Sequence, residues 1–244
     1  MASFPNNTIA AVSLTYDDAL PVHFEHVAGK HEENNSRATF NTTICDTFTQ
    51  NHDAWRQVAA RGHELGNHSL FHPCRKSDAM SWLEDCYDLK KYSETRFHKE
   101  LEVANFILRL TDGRSVRSYG NNCCNTTIGS GDYEISMKPV LSKLFGAARG
   151  ALNNKIIIPA EGYDIYELGH FNGDGKTFQE IKDKIEEAIA VGGWIIFMFH
   201  GVGKGTHAGY IDSSEHDALL DWIGKSSDVL WSRPLIEVAN WLKM

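Results

Sequence analysis

Six consecutive residues, Trp194-Ile195-Ile196-Phe197-Met198-Phe199, are apolar without interruption and lead directly into His200. A strand with one wet face alternates apolar and polar residues. A run apolar at every position suits a parallel strand covered on both faces. The segment before it is marked just as clearly. Thr177-Phe178-Gln179-Glu180 sets a capping box, in which Thr177 caps a helix and Glu180 returns a bond to the cap's N–H. Phe178, Ile181, Ile185 and Ile189 then share one face, and Gly192-Gly193 ends the helix. A helix feeding a doubly covered strand is the repeating unit of a parallel α/β sheet, most simply a barrel.

The rest of the chain repeats this alternation. Strands are expected at 9–16, 37–43, 63–66, 115–119, 144–147, 155–158 and 194–200. Helices are expected near 53–60, 94–110, 138–144, 178–191, 215–223 and 234–242. There is no internal repeat or linker, so residues 1–244 are expected to form a single domain. A hydrophobic content of 42% is enough for a substantial core. The formal charge of −8 argues against nucleic acid or an acidic membrane surface as partner. No stretch approaches the roughly 18 apolar residues that span a bilayer. The first residues, Met1 to Asn7, lack a basic region followed by an apolar run, so the expected location is cytoplasmic, or secreted had a leader been removed. The 5 cysteines are an odd number without zinc-finger spacing. Cys123 and Cys124 could close a vicinal disulfide, but reduced thiols are the expectation.

In parallel α/β folds function gathers at the C-terminal ends of strands. Asp17-Asp18 and His200 all fall there. Two adjacent carboxylates repel one another unless a cation or hydrogen-bond donors stand near. His68-Ser69-Leu70-Phe71-His72 supplies two imidazoles four residues apart, on a helix face or on a turn that folds back. Ser69 occupies the place where the zinc-protease signature needs a glutamate, which excludes that class. One carboxylate and two imidazoles suffice for a facial set of metal ligands with open positions. The second carboxylate is then available as a base, which completes the parts for metal-assisted hydrolysis. Strand alternation puts Met198 on the face of His200, where it could line a small apolar pocket. His52 and His63 lack a partner at useful spacing and read as structural or surface residues.

At these residues the chain resembles the polysaccharide deacetylases of carbohydrate esterase family 4, which share the NodB homology domain. The resemblance rests on Thr15-Tyr16-Asp17-Asp18, on the segment Gly62-His63-Glu64-Leu65-Gly66-Asn67-His68-Ser69-Leu70-Phe71-His72, on Arg37-Ala38-Thr39-Phe40 and on Phe197-Met198-Phe199-His200. It implies a distorted (β/α) barrel with about seven parallel strands. It implies a zinc ion, replaceable by Co2+ or Ni2+, on Asp18, His68 and His72. Asp17 would then be the general base and His200 the general acid, with the backbone N–H of Tyr119 stabilising the oxyanion. The family's third motif, Arg-Pro-Pro-Tyr, orients the base through its arginine. Here the sequence reads Val116-Arg117-Ser118-Tyr119, which makes Arg117 the candidate. The fourth motif, an aspartate that tunes the acid, has its nearest counterpart at Asp164 in Tyr163-Asp164-Ile165-Tyr166.

The implied substrate is an acetylated oligo- or polysaccharide carrying N-acetyl or O-acetyl groups. The altered third and fourth motifs motivate one alternative, a catalytically weak, metal-containing saccharide-binding protein; a hydrolase of small non-carbohydrate amides on the same scaffold is another. Substrate preference is expected to reside in the loops 74–92 and 121–136. The sequence leaves the oligomeric state open.

Overall fold

The computed structural model describes residues 4–150 and 155–243. Its centre is β1 (Ala10–Asp17), in which every residue is buried. Such a strand must pair on both edges and be covered on both faces. It pairs in parallel with β2 (Thr39–Thr42) at residues 15–17. From β2 the sheet continues through β3 (Glu64–Asn67), β4 (Ser118–Gly120) and β5 (Ala147–Arg149), all parallel. Beyond these in sequence lie β6 (Ile157–Ile158), β7 (Phe171–Asn172), β8 (Trp194–Phe199) and β9 (Leu230–Ser232). The spatial order is β5-β4-β3-β2-β1-β8-β6, with β9 beside β1 and β7 beside β8. Only the β6–β8 pairing in this sheet is antiparallel among the described residues. The sheet curls into a half-barrel, with seven mostly parallel strands along its main path and β7 and β9 beside them, the NodB-like (β/α) architecture.

The uninterrupted apolar run of β8 lies against β1 from Ala11↔Trp194 to Tyr16↔Phe199. The few hydroxyls in β1 are satisfied locally. Ser13 Oγ donates to Arg233 O at 2.8 Å, and Thr15 Oγ1 donates to Phe197 O at 2.7 Å. The helix Phe178–Val191 forms with its capping box intact: Thr177 Oγ1 accepts from the Glu180 N–H, and the Thr177 N–H donates to Glu180 Oε2 at 2.9 Å. Ile181 and Ile185 pack from that helix, and Leu219, Leu220 and Ile223 from the helix Ser213–Lys225, into one core with Leu14, Phe197 and Phe199. Removing such side chains from water contributes roughly 1.5–3 kcal/mol each.

Two departures from the sequence expectation matter for the site. The strand expected at 144–147 begins instead at Ala147, because the helix Lys138–Leu144 keeps Leu144, and this carries Arg149 to a strand end. The sequence pattern predicts no element between 20 and 35, yet a π-helical turn, His23–Val27, runs into the helix Ala28–Glu33. Its buried face is built from His23, Val27, Ala28 and His31, so imidazoles stand where aliphatic periodicity would have signalled a helix. Among the described residues, no helix is long and apolar enough to cross a membrane.

Candidate active site

The C-terminal ends of β1, β3, β4 and β8 open into a cavity of about 770 Å³, lined by Asp17, Asp18, His68, His72, Met198 and His200 among others. Asp17 ends β1, and Asp18 follows at φ 79, a left-handed conformation that a non-glycine residue adopts only under strain. His68 and His72 do not share a helix face. They lie on a tight turn after β3 that holds Ser69 at φ 68 and His72 at φ 50. Asn67 Oδ1 accepts the Ser69 N–H at 2.7 Å and Ser69 Oγ accepts the His72 N–H at 3.0 Å, so the turn is fastened from within.

Asp18 Oδ1 lies 3.5 Å from His68 Nε2 and 3.2 Å from His72 Nε2. Burial would raise the Asp18 carboxyl, but the two imidazoles override it and hold it well below the usual carboxylate range. His68 Nδ1 donates to Gly120 O at 2.7 Å, which leaves the Nε2 lone pair turned toward Asp18. Asp18 Oδ1 is buried with no hydrogen bond of acceptable geometry reaching it. One carboxylate oxygen and two imidazole nitrogens within 4.8 Å of one another form a donor set that could hold a divalent transition metal.

Asp17 is bound quite differently. Arg149 Nη1 donates to its Oδ1 at 3.0 Å and Nη2 to its Oδ2 at 2.5 Å, a buried two-pronged pair. Asn41 Nδ2 adds a bond to Oδ1 at 2.9 Å. Burial pushes the Asp17 carboxyl up, and the Arg149, His68 and His200 charges together bring it far below its ordinary value. Arg117, the sequence candidate for this position, is elsewhere. Its guanidinium donates to Asp112 at 3.1 Å and to the carbonyls of Leu65 and Arg114 at 2.7 Å, and so it closes a helix end under the sheet.

His200 is likewise supported by a residue the motifs did not reveal. Asp174 Oδ2 accepts from His200 Nδ1 at 2.6 Å, and Asp174 Oδ1 accepts the His200 N–H at 3.0 Å. Burial alone would lower the imidazole, but the Asp174 bond and the charges of Asp17 and Asp18 raise its pKa to about 9. Asp164 does not reach this site. It pairs with Lys138 and borders a separate depression of about 420 Å³ near Lys155 and Tyr163. Tyr119 sits in mid-strand between Asn67 and Ala148, with its ring buried and its hydroxyl donating to Asn122, so it does not line the cavity. The cavity wall beyond β4 comes instead from Asn121, Cys123 and Cys124.

Two further features went unread in the sequence. His207 stacks on His200 with ring centroids 4.8 Å apart, and its Nε2 lies 3.7 Å from Asp18 Oδ2. Neither a vicinal disulfide nor a full set of reduced thiols is present, because Cys123 is joined to Cys74 across 49 residues. That bond ties two cavity-lining loops together, one of which carries Met80 and Trp82.

Residues 5–121 match the polysaccharide deacetylase family. No curated protein matches the chain at a significant level. Among solved structures, a provisionally named polysaccharide deacetylase from Mycobacterium smegmatis is 14% identical with a TM-score of 0.69, covering 99% of this chain and 93% of that one. The peptidoglycan N-acetylglucosamine deacetylase Bc1960 is 16% identical with a TM-score of 0.58, at 95% and 88% coverage. BA3943 from Bacillus anthracis, described as a CE4 family pseudoenzyme, is 14% identical with a TM-score of 0.56, at 96% and 66% coverage. Over residues 5–121 the chain is similar in sequence to polysaccharide deacetylases, and as a whole it has the fold of carbohydrate esterase family 4 structures.

Proposed function

We propose that this protein is a metal-dependent hydrolase that releases acetate from acetylated carbohydrate. The observation that carries the reading is the convergence of three units on one cavity: the Asp18–His68–His72 donor set, the Asp17–Arg149 pair and the His200–Asp174 pair. A divalent cation held by the first unit would supply Lewis acidity, polarising the acyl carbonyl and bringing the acidity of water close to neutrality. Asp17 stays ionised throughout the working pH range and takes the proton of the attacking water. Arg149 and Asn41 fix its orientation. His200, protonated at neutral pH, delivers a proton to the departing amine or alcohol. Asp174 holds the ring with Nδ1–H engaged and leaves Nε2 as the delivering atom.

The altered third and fourth motifs are what motivate the catalytically weak alternative. Arg149, at the end of β5, and Asp174, in the turn after β7, would supply the missing groups from other parts of the chain, which favours turnover over binding alone. Amide and ester substrates pass through the same tetrahedral intermediate, so both remain within the proposal. Acetate release from N-acetylglucosamine oligomers and acetylated xylooligosaccharides tests it, using chelated protein and protein reloaded with zinc, cobalt or nickel. Metal-restored release is expected, and Asp17→Asn is expected to abolish it while metal stays bound. Absence of release across the panel with metal bound would overturn the proposal.

A further inference from the structure

We propose that this chain binds a second divalent transition-metal ion between the π-helical turn and the helix Ser213–Lys225, through His26 Nε2, His216 Nδ1 and Asp217 Oδ1. His26 comes from the turn His23–Val27, and the other two ligands from the helix. Asp217 Oδ1 lies 3.0 Å from His26 Nε2 and 3.4 Å from His216 Nδ1, and the three atoms fall within 4.8 Å of one another. This is the same arrangement as the cavity trio, where one carboxylate oxygen faces two imidazole nitrogens at 3.2 and 3.5 Å.

The surroundings of His216 strengthen the assignment. Its Nε2 lies 2.8 Å from Tyr16 Oη, and that hydroxyl also lies 3.0 Å from His31 Nε2. When Tyr16 accepts from His216 and donates to His31, the His216 proton sits on Nε2 and the Nδ1 lone pair faces Asp217. A buried acceptor that fixes the tautomer of a ligating imidazole is the usual outer support of a metal site. The site is also reachable, since the side chains of His26 and Asp217 are 41% and 35% exposed. Lys30 is the nearby cation, and it is drawn off by Asp221 at 2.7 Å and Glu33 at 3.6 Å.

Two imidazoles and one carboxylate with open positions suit zinc, nickel, cobalt or copper rather than calcium or magnesium. Such an ion would pin the π-helical turn to the Ser213–Lys225 helix. The same turn carries His23, whose Nε2 donates to His200 O at 2.9 Å, so the ion would brace the backbone beneath His200.

Equilibrium dialysis of the full chain against zinc at micromolar free ion separates this inference from the proposed function. Two equivalents are expected for the unaltered protein, one for Asp18→Asn, one for His26→Gln, and none for the double variant. In the Asp18→Asn background, Asp217→Asn is expected to weaken the remaining equivalent at least 100-fold. His26 and Asp217 are partly exposed, so circular dichroism should find both variants folded. A single equivalent that disappears with Asp18→Asn would overturn the second site. So would a second equivalent that survives His26→Gln and Asp217→Asn unchanged.

Discussion

Arg149 binds both oxygens of Asp17, and the guanidinium is fully buried beneath a carboxylate that shows only its edge to the cavity, so each depends on the other. Arg149→Met leaves a buried carboxylate uncompensated and is expected to cost about 3–5 kcal/mol of stability in urea denaturation. Loss of orientation is expected to lower kcat for acetate release by about 10²-fold. At His200 the sign of the pH dependence follows from the raised pKa of about 9. An acid must be protonated to act, so kcat/KM falls as pH rises through that value. A cation beside Asp17 and Asp18 would offset their charge and draw the limb lower. Asp174→Asn removes the strongest support of the charged ring and is expected to move the alkaline limb down by about 1–3 pH units. The stabilisation carried by His200 is complete below its ordinary pKa near 6.5 and is lost as pH rises through about 9. Asp17-Asp18, His68–His72 and His200 could be read from the sequence because each lies in a short run with a recognisable neighbour. Their partners could not. Arg149 in Ala-Ala-Arg-Gly looks like any strand arginine, and Asp174 in Asn-Gly-Asp-Gly looks like a turn residue. What joins them to the motifs is strand order, which one sequence does not display.

Among the elements, β3 and β4 owe their glycines to one amide. A Cβ on Gly66 would stand 2.4 Å from Asn41 Oδ1, and one on Gly120 2.6 Å from Asn41 Nδ2. The two glycines therefore make the slot in which Asn41 reaches Asp17. Gly66→Ala is expected to destabilise the protein by about 1–3 kcal/mol in denaturant and to lower kcat by displacing Asn41. Gly29 is the contrasting case. It lies in the helix Ala28–Glu33, where an added Cβ would meet nothing within 4 Å, so Gly29→Ala is expected to stabilise by about 0.5–1 kcal/mol without changing kcat. The long amphipathic helices and the central strands were legible because their burial is aliphatic and periodic. The segment from His23 to Glu33 was not, because its buried face is made of hydrogen-bonded imidazoles that look polar in sequence.

At the scale of the whole molecule, the Cys74–Cys123 bond closes a loop of 49 residues and removes conformations chiefly from the unfolded chain. Chain-entropy arguments give an upper value of about 4 kcal/mol for a loop of that size. Guanidinium unfolding with and without a dithiol should differ by at most that amount, and Cys74→Ser should make the two curves coincide. The parallel sheet itself was legible in outline from the β8 run and its preceding helix, while β7 and β9, two and three residues long, left almost no pattern to read. The pairing of β1 with β8 has a consequence for synthesis. Thr15 and Phe197 are hydrogen-bonded but 182 residues apart. At about 5–20 residues per second, β1 leaves the ribosome roughly 10–40 s before its central neighbour exists. For that interval the nascent chain carries an apolar strand with one edge unfilled. The protein should therefore lean on a chaperone during translation, and its yield should respond to elongation speed more than to the stability of the finished fold.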